Sequence, residues 1–150
     1  MATMQLDFVS QDHMVFTSDQ VSAVMAPGVE GVLTVLPRHA PLMTILSPGE
    51  VVVKLPGQPE LFFAVSGGWM EVRPDKTTIL ARTAERSDEI DLKRAEEARL
   101  RAENLLAAGL PAEERASLEM ALRRSQIRVN VARKRARRGG PSGDIPLDER

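Results

Sequence analysis

The spacing of apolar residues changes period near residue 91, so the chain cannot form one kind of layer throughout. Upstream the residues alternate. Met4, Leu6 and Phe8 stand against Gln5 and Asp7; Val21, Ala23 and Met25 against Ser22; Val51, Val53 and Leu55 against Lys54. Leu61, Phe63 and Val65 make a further face. A period of two puts such residues on one side of a strand. Val51-Val52-Val53 and Phe62-Phe63 place apolar groups on both sides, so some strands are expected to be covered twice. Downstream, Leu92, Ala95, Ala98, Ala102 and Leu105 recur at steps of three or four, a stripe on a helix. Leu118, Leu122, Ser125, Val129, Ala132 and Ala136 follow at steps of four and three, a coiled-coil spacing thinned by serine and alanine.

Glycine and proline respect the same boundary. Pro27-Gly28, Pro37, Pro48-Gly49, Pro56-Gly57, Gly67-Gly68 and Pro74-Asp75 punctuate the first part and read as turns, whereas residues 91–138 hold only Gly109 and Pro111. Ser66-Gly67-Gly68 reads as a tight β turn and not as a phosphate loop, because no Lys-Ser/Thr follows and no helix opens there. The pattern predicts a β-sandwich of about ten short strands in two sheets, followed by an α-helical hairpin. The expected divisions are residues 1–88 for the sandwich, 89–138 for the antiparallel hairpin, and 139–150 for a Gly/Pro-rich disordered tail. With so much alanine on its stripes, the hairpin is expected to be marginal, able to lie on the β unit or lift off it.

Charge divides along the same line. The formal net charge is −1, but residues 1–84 carry 5 basic and 8 acidic side chains, residues 85–138 carry 14 and 10, and residues 139–150 carry 1 and 3. Such segregation points to units with different partners. From Arg123 to Arg138 there are eight positive side chains and no acidic one. That face fits an acidic protein surface or a nucleic acid. The last aromatic residue is Trp69, so the helices lack the stacking platforms that single strands favour.

Much chemistry is excluded. There is no cysteine, which removes disulfides, thiolate metal sites and Cys nucleophiles. The two histidines, His13 and His39, are too few for a His-rich metal site. His39, in Leu36-Pro37-Arg38-His39-Ala40-Pro41-Leu42, has no visible nucleophile to serve and reads as a loop or partner-contact residue. No apolar run reaches the length of a membrane span, and the first residues lack signal or transit character. The expectation is a chain that remains where it is made.

The junction between the units is the most informative stretch. Asp91 is placed to cap the first helix. Arg94 and Arg101 lie seven apart, and Arg124 and Arg128 four apart, so each pair shares a helix face. If the hairpin closes, the four guanidiniums would repel unless a polyanion such as a triphosphate lay between them.

Three stretches resemble the epsilon subunit family of the F-type ATP synthase: Glu30-Gly31-Val32-Leu33-Thr34-Val35-Leu36-Pro37-Arg38-His39-Ala40-Pro41-Leu42; Phe63-Ala64-Val65-Ser66-Gly67-Gly68-Trp69-Met70-Glu71-Val72; and Thr78-Ile79-Leu80-Ala81-Arg82-Thr83-Ala84-Glu85 leading into Ile90-Asp91. The resemblance implies a non-catalytic rotor subunit that couples proton flow to ATP synthesis. It implies that the β unit meets the gamma subunit and the membrane c-ring, with Glu30, Gly31, Val32 and His39 as partner contacts. It also implies a hairpin that extends toward the alpha and beta subunits and inhibits ATP hydrolysis. The family's ATP motif, Ile/Leu-Asp-x-x-Arg-Ala, stands here as Ile90-Asp91-Leu92-Lys93-Arg94-Ala95. The implied ATP ligands are Glu85, Ile90, Asp91, Arg94, Ala95, Arg101, Arg124 and Arg128. ATP would be a regulatory ligand; no cofactor and no metal is implied. The implied location is peripheral, on the cytoplasmic face of a bacterial inner membrane, without nucleic acid and without insertion. A stand-alone ATP-sensing module is the alternative reading.

Overall fold

The computed structural model describes residues 2–138, with side chains through Lys134. The predicted tail, 139–150, lies outside the described residues. Strands β1 (Met4–Ser10), β2 (Met14–Val21), β3 (Ala23–Gly28), β4 (Gly31–Val35), β5 (Leu42–Lys54), β6 (Leu61–Val72), β7 (Lys76–Ala81) and β8 (Ala84–Arg86) precede helices α1 (Leu92–Ala107) and α2 (Ala112–Arg138). The strands pair in the order β2-β1-β7-β6-β5-β3-β4, with β8 on β6. Among the described strands only the β1–β7 pair is parallel.

This path folds over on itself into a sandwich-like body. Phe8 of β1 meets Phe63 of β6 edge to face, ring centroids 5.0 Å apart, although β7 lies between those strands in the pairing order. Phe16 of β2 reaches the same ring at 6.0 Å. Around them Leu6, Val21, Val24, Val53, Met70 and Ile79 close the core. Met4, Leu6 and Phe8 point inward as their alternation predicts, with Gln5 and Asp7 half-buried on the other face.

Among the described residues eight strands and two helices form, in keeping with the expected sandwich and hairpin. Two finer expectations are corrected. Pro48-Gly49 and Gly67-Gly68 are not turns: they sit inside the paired strands β5 and β6, where Pro48 is opposite Ser66 and Gly68 is opposite Leu46. There β6 changes partner, pairing β8 through residues 63–65 and β7 through residues 68–72. A bend that sharp needs glycine. Gly68 has φ 151°, and a Cβ on it would stand 2.1 Å from the Leu80 carbonyl oxygen. The second correction concerns Val21, Ala23 and Met25. They are not one face of one strand, because the chain breaks at Ser22, whose Oγ donates to the Lys54 carbonyl. The alternation restarts out of phase, so Val24 and Ala26 enter the core and Met25 faces away from it.

The two-sided strands are covered twice, as predicted. Val51, Val53, Phe63 and Val65 fill the sandwich core, while Val52, Phe62 and Ala64 lie under the hairpin. Gly109 stops α1 at φ 75°, its N–H donating to the Leu106 carbonyl. Ser125, buried on the α2 stripe, turns its hydroxyl back onto the Ala121 carbonyl at 3.0 Å.

On the polar face of β1, Asp7 pairs with Lys76 at 2.8 Å and accepts from Gln5 and Thr17. The hydrogen bond from Lys76, then those from Gln5 and Thr17, lower its pKa from 3.8 to about 2. A depressed carboxylate stabilises the fold above its ordinary pKa, and that stability is lost as pH falls through the folded value. Asp7→Asn is therefore expected to lower the melting temperature by about 2–4 °C at neutral pH, discounted for exposure. The gap to the parent should close as pH falls from 4 toward 2, a titration readable by circular dichroism. Gly68→Ala should cost about 3 kcal/mol or more in a denaturant melt, because the clash is with backbone.

Candidate functional site

The hairpin lies closed on the outer face of β5 and β6. Its contact is built from Ile90, Ala95, Val129, Val131 and Ala132 against Val52, Phe62 and Ala64. Ala95 and Ala102 of α1 are buried, so the alanine stripe does bring the helices close. Helix α2 buries a second line that the heptad reading missed: Ile127 and Val131, four apart, pack toward the sheet beside the Val129–Ala132 line. The i,i+4 spacing of two β-branched residues in an arginine-rich helix was the available signal.

Ion pairs fasten this contact. Arg128 donates from Nε and Nη2 to both carboxylate oxygens of Glu85, at 2.6 and 3.1 Å. Lys134 meets Glu50 of β5 at 2.7 Å, and Arg133 meets Glu96 of α1 at 2.6 Å. The basic run of α2 thus spends part of its charge on this chain's own acids when the hairpin is closed.

The motif residues divide between structure and surface. Asp91 caps α1, its carboxylate accepting from the Arg94 backbone N–H at 3.1 Å. Ile90 and Ala95 are buried in the hairpin–sheet contact. Arg124, Arg128 and Glu85 line one small cavity of about 40 Å³ with Ser66, Thr83 and Ile127. Arg94 and Arg101 are exposed and do not line it. A roomier cleft, about 360 Å³, opens beside it between α2 and the bend of the sheet, lined by Arg82, Arg123, Arg124, Ser66, Thr83, Pro48 and Met120. Arg82 and Arg123 carry no motif spacing, and only folding places them together.

The expected partner contacts lie at the two ends of β4. Glu30 is exposed in the β3–β4 turn, and Gly31 and Val32 open β4, with Val32 71% exposed. His39 lies beyond the other end of β4, its Nδ1 2.8 Å from the Ala40 carbonyl, in a loop whose Arg38 N–H donates to the Pro74 carbonyl. Arg38 adopts φ 66°, a left-handed conformation unusual for its type. A further surface was not singled out by the sequence reading. Ile45, Trp69 and Leu80 are cross-strand neighbours on β5, β6 and β7, and are 45%, 53% and 53% exposed. Together they make an exposed apolar row across three strands. Among the described residues, no cluster of His, Asp and Glu is arranged to hold a metal, and no helix is long and apolar enough to cross a membrane.

Known proteins match both units. Residues 3–87 match the family described as ATP synthase, Delta/Epsilon chain, beta-sandwich domain, and residues 88–133 match its long alpha-helix domain. The chain is 48% identical over 136 residues to the ATP synthase epsilon chain of Dehalococcoides mccartyi, covering 90% of this chain and 96% of that one. It is 48% identical over 134 residues to the epsilon chain of Herpetosiphon aurantiacus, covering 89% and 97%. Its fold matches a chain in the Euglena gracilis mitochondrial ATP synthase structure (OSCP/F1/c-ring) with TM-score 0.77 and 24% identity, covering 88% of this chain and 82% of that one.

The second buried line on α2 has a direct consequence. Val131→Ala is expected to cost about 2 kcal/mol in a urea melt. Leu105→Ala, on the predicted stripe but half exposed, should stay within about 0.5 kcal/mol.

Proposed function

The chain belongs to the delta/epsilon family of ATP synthase and is an epsilon chain, a non-catalytic stalk subunit; from that premise we propose that it turns with the rotor and couples proton translocation to ATP synthesis. The observation that carries this reading is the agreement in order of both units, sandwich and hairpin, with epsilon chains over nearly their whole length. The Ile45–Trp69–Leu80 row is the surface offered to the gamma subunit, because a row so apolar gains most from burial. The Glu30–Val32 turn and the His39 loop are offered to the c-ring. The protein then reaches the cytoplasmic face of the membrane through these partners.

The hairpin is the regulatory part. Its hold on the sheet is modest: the buried side chains are mostly alanine and valine, and the ion pairs are partly exposed, each worth about 0–1 kcal/mol. Closed and extended forms can therefore lie close in free energy. A ligand shifts such a balance only by its differential affinity for one form. ATP, held by Glu85, Ile90, Asp91, Arg94, Ala95, Arg101, Arg124 and Arg128, favours the closed form. The extended hairpin frees the basic run of α2 to meet acidic surfaces of the alpha and beta subunits and inhibit hydrolysis.

Two outcomes check this reading. Trp69→Ser should weaken capture by purified gamma subunit by about tenfold or more while leaving the melting temperature nearly unchanged, because the ring is already half exposed. Unaltered capture would remove the docking assignment. Calorimetry should detect saturable ATP binding that Arg94→Ala and Arg128→Ala each weaken. Absence of heat at millimolar ATP would remove the nucleotide reading and leave the stalk assignment standing.

A further inference from the structure

We propose that the surface offered to the gamma subunit continues past the Ile45–Trp69–Leu80 row, across five strands to Met14 of β2 and, at the sheet bend, onto Met120 of α2. This surface takes the apolar face of an amphipathic helix lying across the strands. The inference rests on the gamma-docking reading above and extends it to residues outside that row.

The register of the strands carries it. Ile45 stands opposite Trp69, Trp69 opposite Leu80, Leu80 opposite Val9, and Val9 opposite Met14. Residues directly opposed in this way share a face of the sheet. It is the outer face, because the chain neighbours Met70, Ile79 and Phe8 point into the sandwich core. Five strands at a spacing of about 4.8 Å make the row about 19 Å long. That is the rise of about thirteen helical residues.

The neighbouring row fixes the direction of the partner. From Glu71 through Thr78 and Asp7 to Thr17 it is polar. Glu71 pairs with Arg73 at 2.6 Å, and Asp7 with Lys76 at 2.8 Å. An element laid along the strands would cover these paired charges and strip their water. One laid across the strands follows apolar side chains instead. The inner strands β5, β6, β7 and β1 each have a neighbour on both sides, so their backbone groups are committed to the sheet. Strand addition is therefore closed to a partner along this row, and the side chains of a helix face are what it can receive.

The surface does not stop at the sheet. Ile45, Trp69 and Leu80 also line a groove of about 680 Å³, whose far side is formed by Pro48, Gly67 and Met120. Met120 belongs to neither core cluster and is more than half exposed. Its place on α2 is thus not explained by the packing of the hairpin. The other methionines show the same division. Met4 and Met70 are buried and Met25 packs under the hairpin, whereas Met14, Met43 and Met120 are exposed. Met14 ends the row, Met43 lies two residues from Ile45 on β5, and Met120 borders the groove. The exposed methionines and the single tryptophan of the chain therefore gather at one surface. Tryptophan and methionine are enriched where proteins meet, and the unbranched thioether adapts to the shape laid on it.

Hydroxyl-radical footprinting of the full chain, free and bound to purified gamma subunit, tests this by mass spectrometry of the oxidised residues. Oxidation at Met14, Trp69 and Met120 should fall together in the complex, while buried Met4 and Met70 react little in either state. In capture assays Met14→Ser and Met120→Ser should each weaken gamma binding by about fivefold, the scale of one half-exposed apolar side chain. Leu100→Ser, at a similarly exposed position on α1, serves as control with little change. Thermal melts of each variant confirm folding. If Trp69 is protected while Met14 or Met120 reacts as in the free chain, the extended surface is overturned and the row reading stands. Folded Met14 and Met120 variants that bind gamma like the control overturn it as well. If Trp69 reacts as in the free chain, both readings fall.

Discussion

The structure depends on the paired strands β5 and β6, which are apolar on both faces. One face, with Val51, Val53, Phe63 and Val65, completes the sandwich core; the other, with Val52, Phe62 and Ala64, has to be covered. In a free β-sandwich that outer face would meet water. Here the hairpin covers it, chiefly with alanine and valine side chains. The placement of the hairpin thus follows from an ordinary requirement, that a two-sided strand be buried twice.

The bend in the same pair organises the rest. Leu46–Pro48 of β5 lies opposite Ser66–Gly68 of β6, and at that point β6 leaves β8 and takes up β7. The bend lets one continuous hydrogen-bonded path serve both layers. It also places Ser66, Arg82 and Thr83 under α2, and turns Trp69 out beside Ile45 and Leu80. The exposed apolar row and the arginine-lined cleft are therefore neighbours on one deformation of the sheet. Helix α2 closes the cleft with arginines from the same basic segment whose Arg128 and Lys134 anchor the hairpin to Glu85 and Glu50.

Much of this was legible in the sequence where a local rule applied. The change from a period of two to steps of three and four located the helices, and Gly109 marked where the first ends. The doubly apolar runs announced strands covered on both sides. Glycine and proline misled where their role was tertiary. A Gly-Gly that reads as a turn is here a bend inside a strand, because the close approach of the Leu80 carbonyl, not a chain reversal, excludes a side chain. The single residue Ser22 shifted the phase of β3, and nothing in a period of two forecasts where the count restarts. On α2, the heptad-like stripe captured Val129 and Ala132 but not Val131, since a helix packed between another helix and a sheet buries two lines.

The sequence by itself determined the order of the units, their periods, the segregation of charge and the family to which the stretches around His39, Trp69 and Asp91 belong. These follow from side-chain chemistry and spacing along the chain. Only the tertiary structure decided that the hairpin lies closed, that Glu85 neutralises Arg128, and that Arg82, far from Arg123 and Arg124 in the chain, lines a cleft with them. Such meetings depend on how β6 bends and where α2 lands on it. Both are set by long-range packing, which no local spacing records.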